Sequence, residues 1–192
     1  THEAIQKVLD RVYLVDLPTS EKKVTISFLK GLLDDPILYT LADFDEQSSY
    51  INFLFFKHIP GCENINLYYF SQESVVRELL LKYHLFEHTV ISELLYNTNY
   101  QIAFKKHFNG LVGAFDSTMG TGTELFWGID NHRRVSMSIM DGFLVSQDKR
   151  LSIQLSPESL KKALEEKQLM PSMALTFVVL SFYYGVICGG GY

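Results

Sequence analysis

The fold class is decided by residues 123–155, TELFWGIDNHRRVSMSIMDGFLVSQDKRLSIQL. Three segments of this stretch alternate apolar residues with polar, small or aromatic ones, a period of two that is typical of strands with one buried face. Asp141-Gly142 predicts a two-residue hairpin turn between alternating segments. We therefore expect an antiparallel meander with one face in solvent. The positions predicted to share the buried face are Leu125, Trp127, Ile129, Val135, Met137, Ile139, Leu151, Ile153 and Leu155.

Helical patterns lie on both sides of this meander. Before it, apolar residues recur at the helical period, interrupted by turn residues and by one short apolar run at 65–70 that favours a buried strand. After it, Ser156-Pro157 and Pro171 mark two helix starts. The sequence thus predicts an α+β protein with a helical N-terminal half, a meander at about 123–155 and C-terminal helices. The N-terminal helices are expected at 3–15, 20–33, 36–42, 48–59 and 71–107, with the last broken near 97–99.

Length and composition restrict the classes of protein. The 192 residues fit a single α+β domain over 1–192, helical in 1–110 and carrying the meander and further helices in 111–192. A formal net charge of −5 argues against a nucleic-acid partner. Cys62 and Cys188 form neither a disulfide framework nor a metal-binding spacing, which favours a reducing, cytoplasmic location.

The C-terminal 24 residues, Leu169 to Tyr192, carry no charge. Their length reaches that of a membrane span, but a proline, several hydroxyl groups and four glycines argue for a buried helix and against membrane contact. From the terminal glycine run we expect that the chain is part of a longer protein. We also expect this segment to contact a missing C-terminal region or another subunit.

Residues 84–88, HLFEH, have the H-x-x-E-H spacing of inverzincins on a predicted helix. His84 and His88 would share one helical face and could bind zinc, with Glu87 as general base and a third ligand from elsewhere. The alternative is a helix surface that carries two histidines without a metal. Zinc-dependent hydrolysis is therefore one possible activity, and the sequence commits no residue to a metal.

Residues 116–124, DSTMGTGTE, have the most unusual local composition. Their glycines and hydroxyl groups would let backbone N–H groups approach an anion, with Asp116 and Glu124 as catalytic acid or base and Thr118, Thr121 and Thr123 as ligand-binding residues. The stretch is not a P-loop, because it lacks Gly-Lys-Ser/Thr. The alternative is a strand connection whose residues serve turn geometry.

Residues 130–134, DNHRR, occupy the predicted turn between two strands. His132, Arg133 and Arg134 could bind a carboxylate or phosphate, since paired arginines bind such groups bidentately. The alternative is an ordinary solvated hairpin turn.

Together these candidates predict an enzyme domain, or part of one, that binds a small polar or anionic substrate at the loops flanking strand 123–129. A non-catalytic protein-interaction or structural module of a larger assembly is the alternative, supported by an aromatic content of 14%. A zinc-dependent hydrolase using His84, Glu87 and His88 is the third possibility. No motif identifies a cofactor.

Overall fold

The structure is a computed structural model that describes residues 2–42, 44–62, 64–66, 68, 70–131 and 133–187, without the side chains of residues 44 and 45. The chain divides into two compact units, Thr1–Ser71 and Gln72–Tyr192. Helices precede an antiparallel sheet and further helices follow it, so the α+β class is confirmed.

The described residues of the first unit form three helices: α1 (His2–Leu14), α2 (Thr19–Leu33) and α3 (Phe44–Lys57). Their apolar residues recur at spacings of three and four, so that each helix presents one stripe to a shared core. That core contains Ile5, Leu9, Leu29, Leu32 and Leu38.

Two predictions in this unit are wrong. The expected helix at 36–42 is a series of turns, although the Asp35 carboxylate makes the bond of a helix cap with the Ile37 N–H at 2.9 Å and also accepts from the Tyr50 hydroxyl at 2.9 Å. The expected strand at 65–70 is absent from its described residues, of which Tyr68 and Phe70 are 75% and 74% exposed. A strand needs a neighbour for its backbone groups, and the described residues of this unit include no other strand.

The second unit begins with helix α4 (Gln72–Leu79), which continues into a π-helical turn, Leu80–His84. The predicted long helix ends there. Thr89 begins α5 (Val90–Tyr96) through a reciprocal capping box, in which Thr89 N–H donates to Ser92 Oγ at 2.8 Å and Ser92 N–H donates to Thr89 Oγ1 at 3.1 Å. This cap was not predicted, because Thr89 follows a continuous helical pattern.

The predicted break near 97–99 is confirmed. Asn97 separates α5 from α6 (Thr98–Phe108), and its side-chain oxygen accepts a hydrogen bond from the Asn99 N–H at 3.0 Å. The remaining helices are α7 (Pro157–Glu165), capped by Ser156, and α8 (Met173–Phe177), which continues into a second π-helical turn, Val178–Tyr183.

The sheet has five antiparallel strands in the order β4-β3-β2-β1-β5, namely β1 (Phe126–Asp130), β2 (Arg133–Met140), β3 (Phe143–Ser146), β4 (Ser152–Gln154) and β5 (Leu169–Pro171). The first four strands form the predicted meander. Asp141 and Gly142 have φ values of +49° and +79°, as a two-residue type I′ hairpin turn requires. Strand β5, which pairs with β1, was not predicted.

The predicted buried face is right for β2 and β4 and wrong for β1. Trp127 pairs with Ser136, whereas Gly128 pairs with Val135, so Trp127 and Ile129 lie on the opposite face from Val135 and Met137. In β1, apolar residues occur at both odd and even positions, so the sequence does not show which set is buried. A shift of one residue in the strand register moves each side chain to the other face of the sheet.

The buried face of the sheet and the apolar sides of helices α4, α5, α6, α7 and α8 form the core of the second unit. The C-terminal helix contributes Leu175, Val179 and Leu180, but Phe177 and Phe182 are 41% and 70% exposed. A fully buried core helix is therefore not what the structure shows, because only one side of this helix packs on the core. The expected contact with a missing region or another subunit stays a prediction. Within the described parts of the chain, no helix is long and apolar enough to cross a membrane.

Gly128 lies on the buried face of β1, where the neighbouring side chains leave no room for a Cβ atom. A Cβ atom there would lie 2.7 Å from Leu151 Cδ2, 2.7 Å from Met137 Sδ and 2.9 Å from Val135 Cγ2. We expect Gly128→Ala to lower the free energy of unfolding by about 1–3 kcal/mol, the usual cost of overpacking, in urea denaturation. Ser152→Ala, at an exposed position of β4, should stay within about 0.5 kcal/mol of the unchanged protein. Equal stability of the two variants would contradict the packing described.

Candidate functional site

The loop at 116–124 is closed by its own backbone. Asp116 N–H donates to Thr121 O at 2.8 Å, and Thr121 N–H donates to Asp116 O at 3.0 Å. The Asp116 carboxylate accepts hydrogen bonds from the N–H groups of Thr118 and Met119 at 2.8 and 3.0 Å. Asp116 thus stabilises the turn, as aspartates commonly do at such positions.

Thr123 joins this loop to the sheet. Its hydroxyl is buried, donates to Phe126 O at 2.5 Å and accepts from Met137 N–H at 2.9 Å. Thr123, predicted as a ligand-binding residue, satisfies backbone groups at the start of β1 and in the middle of β2.

Glu124 forms an ion pair. Its carboxylate lies 2.5 Å from Lys105 Nζ on α6, and the carboxylate side chain is 9% exposed while that of Lys105 is 48% exposed. The second carboxylate oxygen lies 3.5 Å from Ile139 N. A substrate that used Oε1 of Glu124 as a base would have to displace Lys105.

The surroundings of Gly122 explain why a glycine is present at this position of the loop. Its φ is +76°, and a Cβ atom would lie 2.5 Å from Ala114 O and 2.7 Å from Phe115 Cα. The close approach that this glycine permits is therefore to the protein's own backbone. Gly120 also has a positive φ, of +65°, but a Cβ atom there would have no described atom within 4 Å beyond its chain neighbours.

A groove of about 260 Å³ lies between this loop, strand β2 and the turn after β3. Four of the predicted site residues line it: Asp116, Thr121, Thr123 and Glu124. The groove also contains polar residues that were not predicted, namely Lys105, Ser117, Ser136, Ser138, Ser146, Gln147 and Lys149.

The other predicted site residues lie elsewhere. Thr118 is exposed and does not line the groove. Arg133 and Arg134 are exposed at the opposite end of β1, where Asp130 pairs with Arg133. The structure thus does not bring the two flanking loops together. His132 lies outside the described residues, as does Cys188.

The sequence contained a pattern that could have identified only some of the additional groove-lining residues. Ser136 and Ser138 occupy the polar phase of β2, which the alternation identifies as the face away from the core. Lys105 lies 19 residues before Glu124 in the chain, and Gln147 lies after strand β3. Only the tertiary structure, which places α6 and the turn after β3 beside the loop, brings these residues to the groove.

The H-x-x-E-H stretch does not assemble a metal site. His84 is 1% exposed, and its ring nitrogens lie 3.0 Å from Thr89 Oγ1 and 3.0 Å from Tyr184 Oη. His88 is beyond the end of the helix and its Nδ1 lies 3.2 Å from Glu93 Oε1. Among the described residues, no group of three histidine, cysteine, aspartate or glutamate side chains is placed to bind a metal ion.

A second, wider concavity of about 660 Å³ lies beside this stretch. Phe86, Glu87, His88 and Tyr96 are among its lining residues. Burial raises the pKa of Tyr96, with a smaller contribution from Glu158, and its hydroxyl donates to Leu85 O at 3.2 Å. Tyr96 therefore remains a neutral hydrogen-bond donor that supports the 85–89 segment.

No protein-family model matches this chain, and no curated protein or solved structure is significantly similar to it. Its function must therefore be inferred from the geometry of these two concavities.

Replacing Thr123 by valine removes the buried hydroxyl while keeping the side-chain shape. We expect Thr123→Val to lower the free energy of unfolding by about 1–3 kcal/mol, because Met137 N–H and Phe126 O lose a buried partner. Thr118→Val is the matched control in the same loop, and its exposed side chain should make it nearly neutral in the same denaturation experiment. Similar losses in both variants would contradict the role assigned to Thr123.

The two loop glycines provide a second matched pair. Gly120→Ala should cost about 1 kcal/mol because alanine is strained at positive φ. Gly122→Ala carries the same strain and a backbone clash, and we expect it to cost at least about 2 kcal/mol more in thermal or urea unfolding. Equal losses of unfolding free energy in the two variants would show that the close contact of Gly122 with Ala114 and Phe115 does not restrict the residue at this position.

Proposed function

We propose that the second unit binds a small polar molecule in the 260 Å³ groove on the outer face of its sheet. The observation that carries this proposal is the convergence of polar side chains from separate parts of the chain on one concavity. The loop contributes Asp116 and Thr121, strand β2 contributes Ser136 and Ser138, and the turn after β3 contributes Gln147 and Lys149. A few convergent polar groups on a rigid element are typical of ligand sites.

The charges of the groove favour a ligand that both donates and accepts hydrogen bonds. Lys105 is paired with Glu124, so its charge is largely compensated. Asp116 and Lys149 then contribute one charge of each sign to the lining. This balance favours a neutral or zwitterionic polar molecule over a strongly anionic one, and the separation of Arg133 and Arg134 from the groove supports the same preference.

We assign the two carboxylates to the walls of the groove and not to acid–base catalysis. Asp116 accepts two backbone hydrogen bonds that hold its own turn, and Glu124 is held by Lys105. Each carboxylate therefore already holds a structural partner through one of its oxygens, Oδ1 of Asp116 and Oε1 of Glu124. The proposal is accordingly a ligand-binding domain.

A ligand-observed NMR screen tests the proposal with free amino acids, nucleosides, monosaccharides and inorganic phosphate. We expect members of a neutral or zwitterionic class to bind the unchanged protein. Ser138→Trp should abolish that binding, because Ser138 lines the groove and the indole would fill it. Absence of binding by every class would contradict the proposal.

Ser152→Trp is the matched control. Ser138 and Ser152 both pair with Val145 and so lie on the same face of the sheet, and both are exposed, but Ser152 does not line the groove. The control variant should bind as the unchanged protein does. Equal binding by the two tryptophan variants would place the ligand elsewhere.

The alternative of a non-catalytic interaction module stays a prediction. The observation that favours it is the exposure of large apolar side chains near the C-terminal end of the described chain, including Phe182 at 70% and Ile187 at 96%. Sedimentation velocity over a range of concentrations would measure any self-association.

A further inference from the structure

His84 joins two parts of the second unit that are 100 residues apart in the chain. It is the last residue of the π-helical turn Leu80–His84, and its Nε2 lies 3.0 Å from the hydroxyl of Tyr184, directly after the π-helical turn Val178–Tyr183. The imidazole also packs edge-on against the Tyr183 ring, with centroids 4.9 Å apart. π-Helical turns are uncommon and occur frequently at functional positions.

The imidazole is held in a neutral environment. It is 1% exposed, and its other nitrogen lies 3.0 Å from the Thr89 hydroxyl. None of the ion pairs formed by the described residues includes His84. An imidazolium at this position would therefore be buried without a counter-charge, which costs considerably more than a buried neutral ring.

We propose that His84 is a pH-operated latch: its neutral imidazole holds the C-terminal turn Val178–Tyr183 and Tyr184 in place, and its protonation releases them. The proposal concerns a part of the molecule separate from the ligand groove and does not depend on the proposed function. Release would expose Val179 and Leu180, which are 0% and 7% exposed in the closed structure.

The titratable groups around His84 do not supply a compensating charge. Tyr83, on the same turn, Tyr183, on the C-terminal turn, and Tyr184, directly after it, are phenols and not carboxylates. Burial raises the pKa of Tyr184, with smaller contributions from Tyr183 and Tyr83.

The charged side chains of Lys82, Glu87 and His88, which lie close to His84 in the chain, are exposed or paired with other residues. Lys82 lies 3.9 Å from Glu78, and the side chain of Lys82 is 64% exposed. In the segment that follows the turn, Glu87 is exposed and His88 is paired with Glu93.

The direction of the pH dependence follows from linkage. Burial lowers the pKa of His84 in the closed state below its value of about 6.5 in an exposed state. The open state therefore binds more protons than the closed state at acidic pH. The closed state is fully favoured above about pH 6.5, and the equilibrium constant for opening rises up to about tenfold for each pH unit below it, until the lowered pKa is reached.

Hydrogen exchange measured by mass spectrometry on the full chain tests this latch. From pH 7.5 to 5.5, and after correction for intrinsic exchange, we expect opening of 178–186 to increase by up to about tenfold relative to the sheet. His84→Gln, which does not titrate, should remove that increase. His107→Gln, at an exposed position on α6, is the matched control and should retain it.

Tyr184→Phe separates the hydrogen bond from the titration. It should increase opening at pH 7.5 by removing the phenol partner of Nε2, while leaving an increase at acidic pH. Unchanged opening in this variant, or equal pH dependence in His84→Gln and the control, would overturn the proposal.

An NMR titration of the His84 Cε1 resonance in the unchanged protein requires no variant to fold. A midpoint below about 6.5 is the expected result. A midpoint at or above that value would overturn the latch.

Discussion

The buried hydroxyl of Thr123 is the interaction on which the second unit most depends. One oxygen atom bonds to the backbone of both central strands, to Phe126 O and to Met137 N–H. These backbone groups lie in the core, where water cannot replace the bond. The same residue determines where the 116–124 loop ends and β1 begins. The path of β1, its pairing with β2 and the position of the groove all follow from this contact.

The composition of 116–124 is explained first by folding and only then by function. Asp116 holds a turn, Gly122 permits backbone contact and Glu124 pairs with a lysine on α6. These three features, which resembled parts of an anion site in the sequence, each have a partner within the chain. What remains open to a ligand is the groove between this loop and the outer face of the sheet, and its mixed charges favour binding of a small polar molecule.

The C-terminal turn illustrates how stability can vary within one unit. Its inner side chains join the sheet core, whereas Phe182 and its exposed neighbours do not. Its attachment to the first π-helical turn includes one hydrogen bond and two ring contacts of a single histidine. A segment with few buried contacts and one titratable attachment is the kind of element that opens locally before the rest unfolds.

The sequence alone determined the elements whose signals are local. Alternation, Asp141-Gly142 and Ser156-Pro157 predicted the meander, its hairpin and α7, because strand period, turn conformation and helix capping act within a few residues. Tertiary structure decided the face of β1, the pairing of β5 and the contact between Lys105 and Glu124. Apolar residues in both phases left β1 undetermined, and the other two features join residues distant in the chain. Their positions depend on which surfaces pack together, and the free energy of that packing depends on residues from the whole fold.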